Sequence, residues 1–123
     1  SPRALTVPTD LRIHLKTKKI DFSEVEKFEE GVKNTDVIYQ TRIQKERFKT
    51  KKEYKKYFGK YIIDRSSLKL LKRDAIIMHP LPRVNEIAAE VDSDVRAKYF
   101  EQAQNGLFIR MALLLFLLGP KKL

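Results

Sequence analysis

Residues 75–86 of the chain read Ala75-Ile76-Ile77-Met78-His79-Pro80-Leu81-Pro82-Arg83-Val84-Asn85-Glu86. The first four residues are apolar, and the two isoleucines at their centre predict a short strand that is buried on both faces. The two prolines end this strand, because proline cannot donate to a sheet ladder and keeps the residue before it extended. Open α/β sheets bind ligands beyond the carboxyl ends of their parallel strands. The stretch therefore predicts a binding site.

The composition indicates one small domain. The chain has 123 residues, and the 42% that are hydrophobic argue against disorder. It has no cysteine, and its two histidines, His14 and His79, lie far apart, so we expect no metal and no cofactor. The formal charge of +10 favours an anionic partner, such as nucleic acid, an acidic membrane surface or a multiply charged small substrate. No secretory or transit segment opens the sequence, which makes the cytoplasm the expected location.

Predicted helices alternate with short strands along the rest of the chain. The other strands are Ile20-Asp21-Phe22 and Asp36-Val37-Ile38-Tyr39-Gln40. Helices are predicted after a Thr6 cap, over about residues 24–32 after a Ser23/Glu26 capping box, after Thr50 and after Asp64. A further helix carries Tyr99 and Phe100 before a break or kink at Asn105-Gly106, and Leu107–Leu118 is the last element. This alternation predicts an α/β fold with a three-layer parallel sheet flanked by helices. Only about three strands are visible, fewer than the ~5–6 of an average sheet.

Two of the predicted strand ends carry groups suited to binding. Arg42 and Gln44 lie two residues apart just beyond residues 36–40, so in extended chain they point to the same side. A guanidinium and an amide can hold a carboxylate in a fixed orientation, and Glu46 could hold Arg42 in place by a charge-assisted hydrogen bond. At the other strand end, the carbonyl groups of Pro80 and Leu81 can accept from an NH₂ group. Neither end offers a nucleophile beside a base, so any catalysis would come from positioning and electrostatics.

Three longer stretches make the chain recognisable. They are Asp-Val-Ile-Tyr-Gln-Thr-Arg-Ile-Gln-Lys-Glu-Arg-Phe (36–48), Met-His-Pro-Leu-Pro-Arg-Val-Asn-Glu-Ile (78–87) and Tyr-Phe-Glu-Gln-Ala-Gln-Asn-Gly-Leu-Phe-Ile-Arg-Met-Ala-Leu-Leu (99–114). Together they resemble the aspartate-binding half of the catalytic chain of aspartate carbamoyltransferases, in the right order through essentially the whole sequence. The sibling ornithine enzymes typically carry His-Cys-Leu-Pro at the equivalent strand end. Leu81, in a chain without cysteine, favours the aspartate branch.

The resemblance implies a reaction of de novo pyrimidine biosynthesis. The amino group of L-aspartate attacks the carbonyl carbon of carbamoyl phosphate, giving N-carbamoyl-L-aspartate and phosphate. Arg42 and Gln44 would bind aspartate with Glu46 in support, and residues 45–60 would correspond to a mobile loop that closes over the substrates and excludes water. No residue would act as an acid, base or nucleophile.

The same resemblance assigns the other strand end to carbamoyl phosphate. The Pro80 and Leu81 carbonyl groups would hold the carbamoyl NH₂, Pro82 would fix the loop, and Arg83 would support it. In the family the Leu-Pro bond at this place is cis, so we expect a cis bond between Leu81 and Pro82, a form that proline makes accessible.

The likeness also implies that part of the family's catalytic chain is missing. Its amino-terminal carbamoyl-phosphate domain, and the first strand and helix of the aspartate domain, have no counterpart here, so we expect a Rossmann-like sheet incomplete at its N-terminal side. Residues 1–104 would form a partial aspartate-binding domain, and residues 105–123 an apolar helix that packs on the missing domain. We expect this fragment to be inactive alone, whereas complete chains would form a homotrimer.

Other interpretations of single segments stay open at this stage. Leu107–Leu118 carries one charge in twelve residues, is shorter than the ~20 residues that span a bilayer, and lacks the polar face of an interfacial helix, so we expect no membrane partner. His79 could be a packed strand-end residue. The lysines and tyrosines of Lys49–Lys60 could contact nucleic acid, although a solvated loop is commoner and we expect no nucleic-acid partner. The chain could also be a noncatalytic carbamoyltransferase-like module that docks a partner through its apolar helix.

Overall fold

The computed structural model describes residues 5–119 of the chain. Its elements follow the order of an α/β fold, with short helices between two strands and a long helix at the end. The helices are α1 (Thr9–Thr17), α2 (Phe28–Val32), α3 (Lys51–Lys55), α4 (Arg65–Leu68) and α5 (Tyr99–Leu118), and the strands are β1 (Val37–Tyr39) and β2 (Ile76–Met78). Single 3₁₀ turns cover Lys45–Arg47 and Ala89–Ser93.

The two strands pair in parallel, as the alternation of elements predicted. Ile38 lies opposite Ile77 in a register that runs from Val37↔Ile76 to Tyr39↔Met78. On its other edge β2 meets residues 96–98, where the Ile77 N–H donates to Arg96 (2.7 Å) and the Lys98 N–H donates to Ile77 (2.8 Å). Since β1 and β2 run in the same direction, their carboxyl ends reach the same edge of the sheet. That edge carries the residues predicted to bind.

The core gathers around the middle of the sheet. It consists of Val32, Ile38, Ile63, Leu71, Ala75, Ile77, Ile87, Val91 and Tyr99. The burial on both faces that was predicted for β2 is only partial, because Ile77 is fully buried whereas Ile76 and Met78 are half-buried. Strand β1 was also predicted to be buried, and this is wrong for one face: Ile38 is buried, but Val37 and Tyr39 are more than half exposed. Successive strand side chains point to opposite faces, so one face of β1 is left uncovered by the part of the chain that the structure describes.

The amino-terminal third departs most from the sequence-based expectations. Ile20-Asp21-Phe22 is not a strand, and Ile20 is exposed. The second helix begins at Phe28 rather than near residue 24, without a side-chain cap. Glu24 accepts hydrogen bonds from the Val7 N–H (2.8 Å) and from Arg12, so it ties its segment to the start of α1. The capping box expected from Ser23 and Glu26 does not form at the start of α2.

Helix caps elsewhere are partly as predicted. Pro8, not Thr6, lies at the N-cap of α1. The Thr50 hydroxyl accepts from the Glu53 N–H (3.1 Å), and the Asp64 side chain caps α4 in a reciprocal box with Ser67. Both of these caps precede the helices that they were expected to start.

Helix α5 is continuous over twenty residues, so the break expected at Asn105-Gly106 is wrong. A glycine inside a helix costs only about 1 kcal/mol relative to alanine, which a helix of this length tolerates. Tyr99 in its first turn is fully buried, whereas Phe116 near its end is 85% exposed. None of the helices within residues 5–119 combines the length and the apolar character needed to cross a membrane. Because the apolar side chains towards its end are exposed, the last three turns of α5 present an uncovered apolar surface.

Candidate binding site at the strand ends

A cleft of about 820 Å³ lies beyond the carboxyl ends of the two strands. Arg42 and Gln44 line it from the β1 side, together with Gln40. Its β2 side is lined by His79, Pro80, Leu81 and Pro82. The structure thus brings together two groups of predicted binding residues, one at positions 42 and 44 and one at 80–82, which lie more than thirty positions apart in the sequence.

On the β1 side, Arg42 pairs with Glu46. The guanidinium Nη2 lies 2.5 Å from the Glu46 carboxylate, and both side chains are about half exposed. A backbone hydrogen bond at Glu46, followed by the charge of Arg42, lowers the pKa of the Glu46 carboxyl below its usual value. Glu46 is therefore ionised at neutral pH and holds the guanidinium at the mouth of the cleft.

Gln40 is a cleft residue that the sequence reasoning missed. It is buried, and its side-chain Nε2 donates to the Tyr61 carbonyl (2.8 Å) while its backbone N–H donates to Met78 (2.9 Å). Gln40 therefore attaches the end of β1 both to β2 and to the segment that follows α3. The signal was present in the spacing, because Gln40 precedes Arg42 by the same two residues that separate Arg42 from Gln44.

On the β2 side, the chain turns sharply after His79. Leu81 has φ +39°, in the left-handed region that costs a non-glycine residue roughly 1–2 kcal/mol. The Leu81–Pro82 peptide bond is cis, as the resemblance implied. Within residues 5–119, no donor is bonded to the Pro80 or Leu81 carbonyl oxygens, so both remain open to a ligand.

A buried pair lies behind this turn. His79 and Glu86 are almost completely buried, and the ring Nε2 lies 2.9 Å from a Glu86 carboxylate oxygen. The other Glu86 oxygen accepts from the backbone N–H groups of Val84 (3.2 Å) and Asn85 (3.0 Å). Burial alone would raise the pKa of Glu86, but the surrounding backbone N–H groups and His79 lower it below its usual value. Sequence reasoning gave Glu86 no role, because nothing local shows that its side chain turns inward.

Arg83 lies away from the cleft that holds the other predicted residues. Its Nη2 donates to Asp92 at 2.5 Å, and its guanidinium stacks over the rings of Tyr99 (5.5 Å) and Phe100 (5.9 Å). Arg83 lowers the pKa of Asp92, while burial raises the pKa of Tyr99 to about 12. These contacts attach the turn after His79 to the 3₁₀ segment at Asp92 and to the first turn of α5 at Tyr99. The resemblance had implied only that Arg83 supports the carbamoyl-phosphate site.

Gln102 connects α5 to both strand ends. Its side-chain oxygen accepts from the His79 N–H (3.0 Å), and its nitrogen donates to the Tyr39 hydroxyl (3.2 Å). The position of α5 is thereby tied to the geometry of the cleft. No group of three or more metal-binding side chains occurs within residues 5–119.

A parallel α/β layer whose polar groups meet in a cleft beyond the strand ends is typical of α/β domains that bind ligands. The aspartate/ornithine carbamoyltransferase Asp/Orn-binding domain matches residues 6–117 of this chain. The chain belongs to this carbamoyltransferase family.

Relatives on the aspartate side of the family are close in sequence. The catalytic subunit of aspartate carbamoyltransferase from Finegoldia magna is 51% identical over 121 residues, which are 98% of this chain and 40% of the relative. The multifunctional protein CAD of Squalus acanthias is 47% identical over 97% of this chain and 5% of its own length. The chain thus spans about 40% of the length of the catalytic subunit that it matches.

A solved structure shares the fold. The catalytic subunit of aspartate transcarbamoylase from M. jannaschii superposes with a TM-score of 0.81 at 46% identity, covering 93% of this chain and 37% of that one.

Proposed function

We propose that this chain is the aspartate-binding part of an aspartate carbamoyltransferase. The observation that carries the proposal is the meeting of Arg42 and Gln44 with the Pro80–Pro82 turn in one cleft. The reaction transfers the carbamoyl group of carbamoyl phosphate to the amino group of L-aspartate, with release of phosphate, as a step of pyrimidine biosynthesis.

The β1 side supplies the groups for aspartate. A guanidinium has five N–H donors, so its contact with Glu46 leaves donors that can bind a substrate carboxylate. Gln44 adds an amide beside it, which can fix the orientation of the bound amino acid. Arg42 is half exposed, so water competes for its contacts while the cleft is open. Closure of residues 45–60 over the cleft would exclude this water and strengthen the contacts of Arg42 and Gln44 with the substrate.

The β2 side supplies the groups for the carbamoyl donor. Pro80 and Leu81 line the cleft, and their carbonyl oxygens, which are bonded to no donor within residues 5–119, can each accept a hydrogen bond from the carbamoyl NH₂. Held in this way, the carbonyl carbon is presented to the aspartate amino group. Rate acceleration then comes from the fixed approach of the two substrates and not from a protein nucleophile.

The apolar surface of α5 is the proposed contact with a carbamoyl-phosphate-binding domain. An all-round apolar helix is stable in water only when other protein covers it, and Leu115 and Phe116 are largely exposed here. The predicted aspartate-binding part, residues 1–104, and the predicted docking segment, residues 105–123, would then divide the chain within α5; residues 1–4 and 120–123 of these segments lie outside the described residues. We propose that this part is inactive alone, and that complete chains act as cytoplasmic homotrimers.

The test is to measure carbamoyl aspartate formation by the chain alone and after mixing with a separately produced carbamoyl-phosphate-binding domain of the family. We expect activity only in the mixture, and we expect Arg42→Ala to abolish it. Arg73→Ala is the matched control, since Arg73 is an exposed arginine outside the cleft. Unchanged activity in Arg42→Ala would contradict the proposed role of this arginine.

The same experiment distinguishes the other candidates. A stable complex without activity, unaffected by Arg42→Ala, would favour a docking module that has lost catalysis. The nucleic-acid hypothesis has less support, because Phe48 packs against Tyr54 (5.9 Å) and Tyr57 (5.7 Å), so these rings already contact each other. Binding to nucleic acid would show itself as an affinity that falls steeply with salt and depends on Lys49–Lys60.

A further inference from the structure

The turn that carries the open carbonyl groups is enclosed by two buried polar side chains. His79 is 2% exposed and Glu86 is 4% exposed, and they lie at the two ends of the turn. Neither residue has a part in the proposed chemistry. Polar side chains are buried this completely only when hydrogen bonds compensate for the loss of water, so the hydrogen-bond partners of His79 and Glu86 indicate what the two residues do.

The hydrogen bonds of the ring define one tautomer. The Leu81 N–H donates to Nδ1 (2.9 Å), so Nδ1 carries no proton. Nε2 must then carry the ring proton, which it donates to the Glu86 carboxylate at 2.9 Å. The ring therefore acts as a neutral bridge that accepts from the turn at one nitrogen and donates to Glu86 at the other.

The pair also holds most of the backbone donors of the turn. Residues 80–85 possess four N–H groups, because two of the six are prolines, and three of the four donate to His79 or Glu86: those of Leu81, Val84 and Asn85. The left-handed conformation of Leu81 needs such support, since a non-glycine residue keeps it only where surrounding contacts impose it.

We propose that His79 and Glu86 are a positioning pair that imposes the conformation of the turn in which the Pro80 and Leu81 carbonyl oxygens stay free of protein donors at the edge of the cleft. The pair binds the N–H groups of Leu81, Val84 and Asn85, whereas the carbonyl oxygens of Pro80 and Leu81 stay unbonded within the described residues. The assignment of these oxygens to a carbamoyl donor rests on the proposed function, whereas the conformation that the pair imposes does not.

The first test concerns the conformation alone. In the ¹⁵N-labelled chain, we expect His79 to show a bare Nδ1 and a protonated Nε2 at neutral pH, with exposed His14 as the internal reference. The proposal is wrong if Nδ1 carries the proton. This measurement uses the unmodified chain and does not depend on whether any variant folds.

Two matched variants separate the contacts of the ring. The amide oxygen of asparagine occupies the place of Nδ1, so His79→Asn keeps an acceptor for Leu81, while the longer His79→Gln keeps a donor for Glu86 and loses that acceptor. We expect hydrogen exchange of the Leu81 amide to be about tenfold faster in His79→Gln than in His79→Asn, as for loss of one buried hydrogen bond. Equal exchange in both variants would overturn the proposal.

The second test concerns the reaction in the mixture with the carbamoyl-phosphate-binding domain. We expect His79→Gln to raise KM for carbamoyl phosphate about tenfold and to leave KM for aspartate nearly unchanged, with His79→Asn nearer the wild type. An equal rise in both KM values would indicate general loosening and contradict the positioning role. If the wild-type mixture is inactive while ring state and exchange are as expected, the proposed function fails and the positioning pair stands.

Discussion

The two strand ends that form the cleft are built in opposite ways. Beyond β2, buried side chains bind the backbone of the turn, and the groups offered to a ligand are backbone carbonyls. Beyond β1, the groups offered are the long side chains of Arg42 and Gln44, and the Arg42–Glu46 pair is half exposed. We call the β2 side of the cleft (residues 79–86), which buried side chains hold, the fixed wall. We call the β1 side (residues 40–46), which offers exposed side chains, the adjustable wall.

This difference has a direct physical origin. Prolines at positions 80 and 82 remove backbone freedom and donors from the β2 end, so few side chains suffice to fix it. The β1 end continues into a lysine-rich segment, where ordering each long side chain costs up to about 2 kcal/mol of rotamer entropy. A rigid wall suits groups that must stay in place, and an adjustable wall suits the closure that we propose for residues 45–60.

The largest expected effect is at the fixed wall. Glu86→Ala removes the partner of a buried histidine and the acceptor of two backbone N–H groups, so we expect a loss of about 3 kcal/mol in the free energy of unfolding. Urea unfolding followed by circular dichroism measures this loss. The exposed Glu29→Ala variant should stay within about 0.5 kcal/mol of the wild type. If Glu86→Ala and Glu29→Ala were equally stable, buried side chains would not hold the β2 side of the cleft more firmly than the β1 side.

A smaller effect is expected where the adjustable wall joins the sheet. Gln40→Ala leaves the Tyr61 carbonyl without its side-chain donor, and we expect a loss of about 1.5 kcal/mol. Thermal unfolding of this variant beside Gln44→Ala, which lines the same cleft, would show whether Gln40 is the anchor of the segment. A larger loss of stability in Gln44→Ala would mean that Gln44, and not Gln40, attaches this segment to the sheet.

Acid should weaken the β2 side through Asp94. Hydrogen bonds from Arg96 outweigh burial and lower the pKa of Asp94 from 3.8 to about 2. Since this pKa is lower in the folded chain, ionised Asp94 stabilises the fold at neutral pH, and the contribution is lost as the pH falls through this range. After allowance for solvent screening, we expect Asp94→Asn to cost about 1 kcal/mol at pH 7.

The measurement for Asp94 is the free energy of unfolding between pH 7 and pH 2. The wild type should lose stability more steeply on acidification than Asp94→Asn, whereas exposed Asp21→Asn should follow the wild type. Parallel curves for the wild type and Asp94→Asn would show that Arg96 does not act on this carboxylate.

The smallest effect on stability is expected at Arg42. Its pair with Glu46 is exposed, so Arg42→Ala should change the free energy of unfolding by no more than about 0.5 kcal/mol while removing the aspartate binding that we propose. Parallel denaturation and substrate-binding measurements would establish this separation. A large loss of stability in this variant would mean that the β1 end is as fixed as the β2 end.

Much of this fold could be predicted where the deciding interactions are local. The apolar run before Pro80 predicted β2, and the Thr50 and Asp64 caps preceded α3 and α4 as expected. Prediction failed where a distant partner intervened. The Ser23/Glu26 capping box does not start α2, in a segment where Glu24 binds Val7 and Arg12, and Ile20-Asp21-Phe22 forms no strand.

The sequence by itself determined the stiff turn after β2, the spacing of Arg42 and Gln44, the apolar character of α5 and the family. These features depend on neighbouring residues and on residue types. Only the tertiary structure decided that Glu86 turns inward to His79, that Arg83 points to Asp92, and that both strand ends open into one cleft. Each of these depends on which distant groups become buried together, because a buried polar group must find its partner wherever the fold places one.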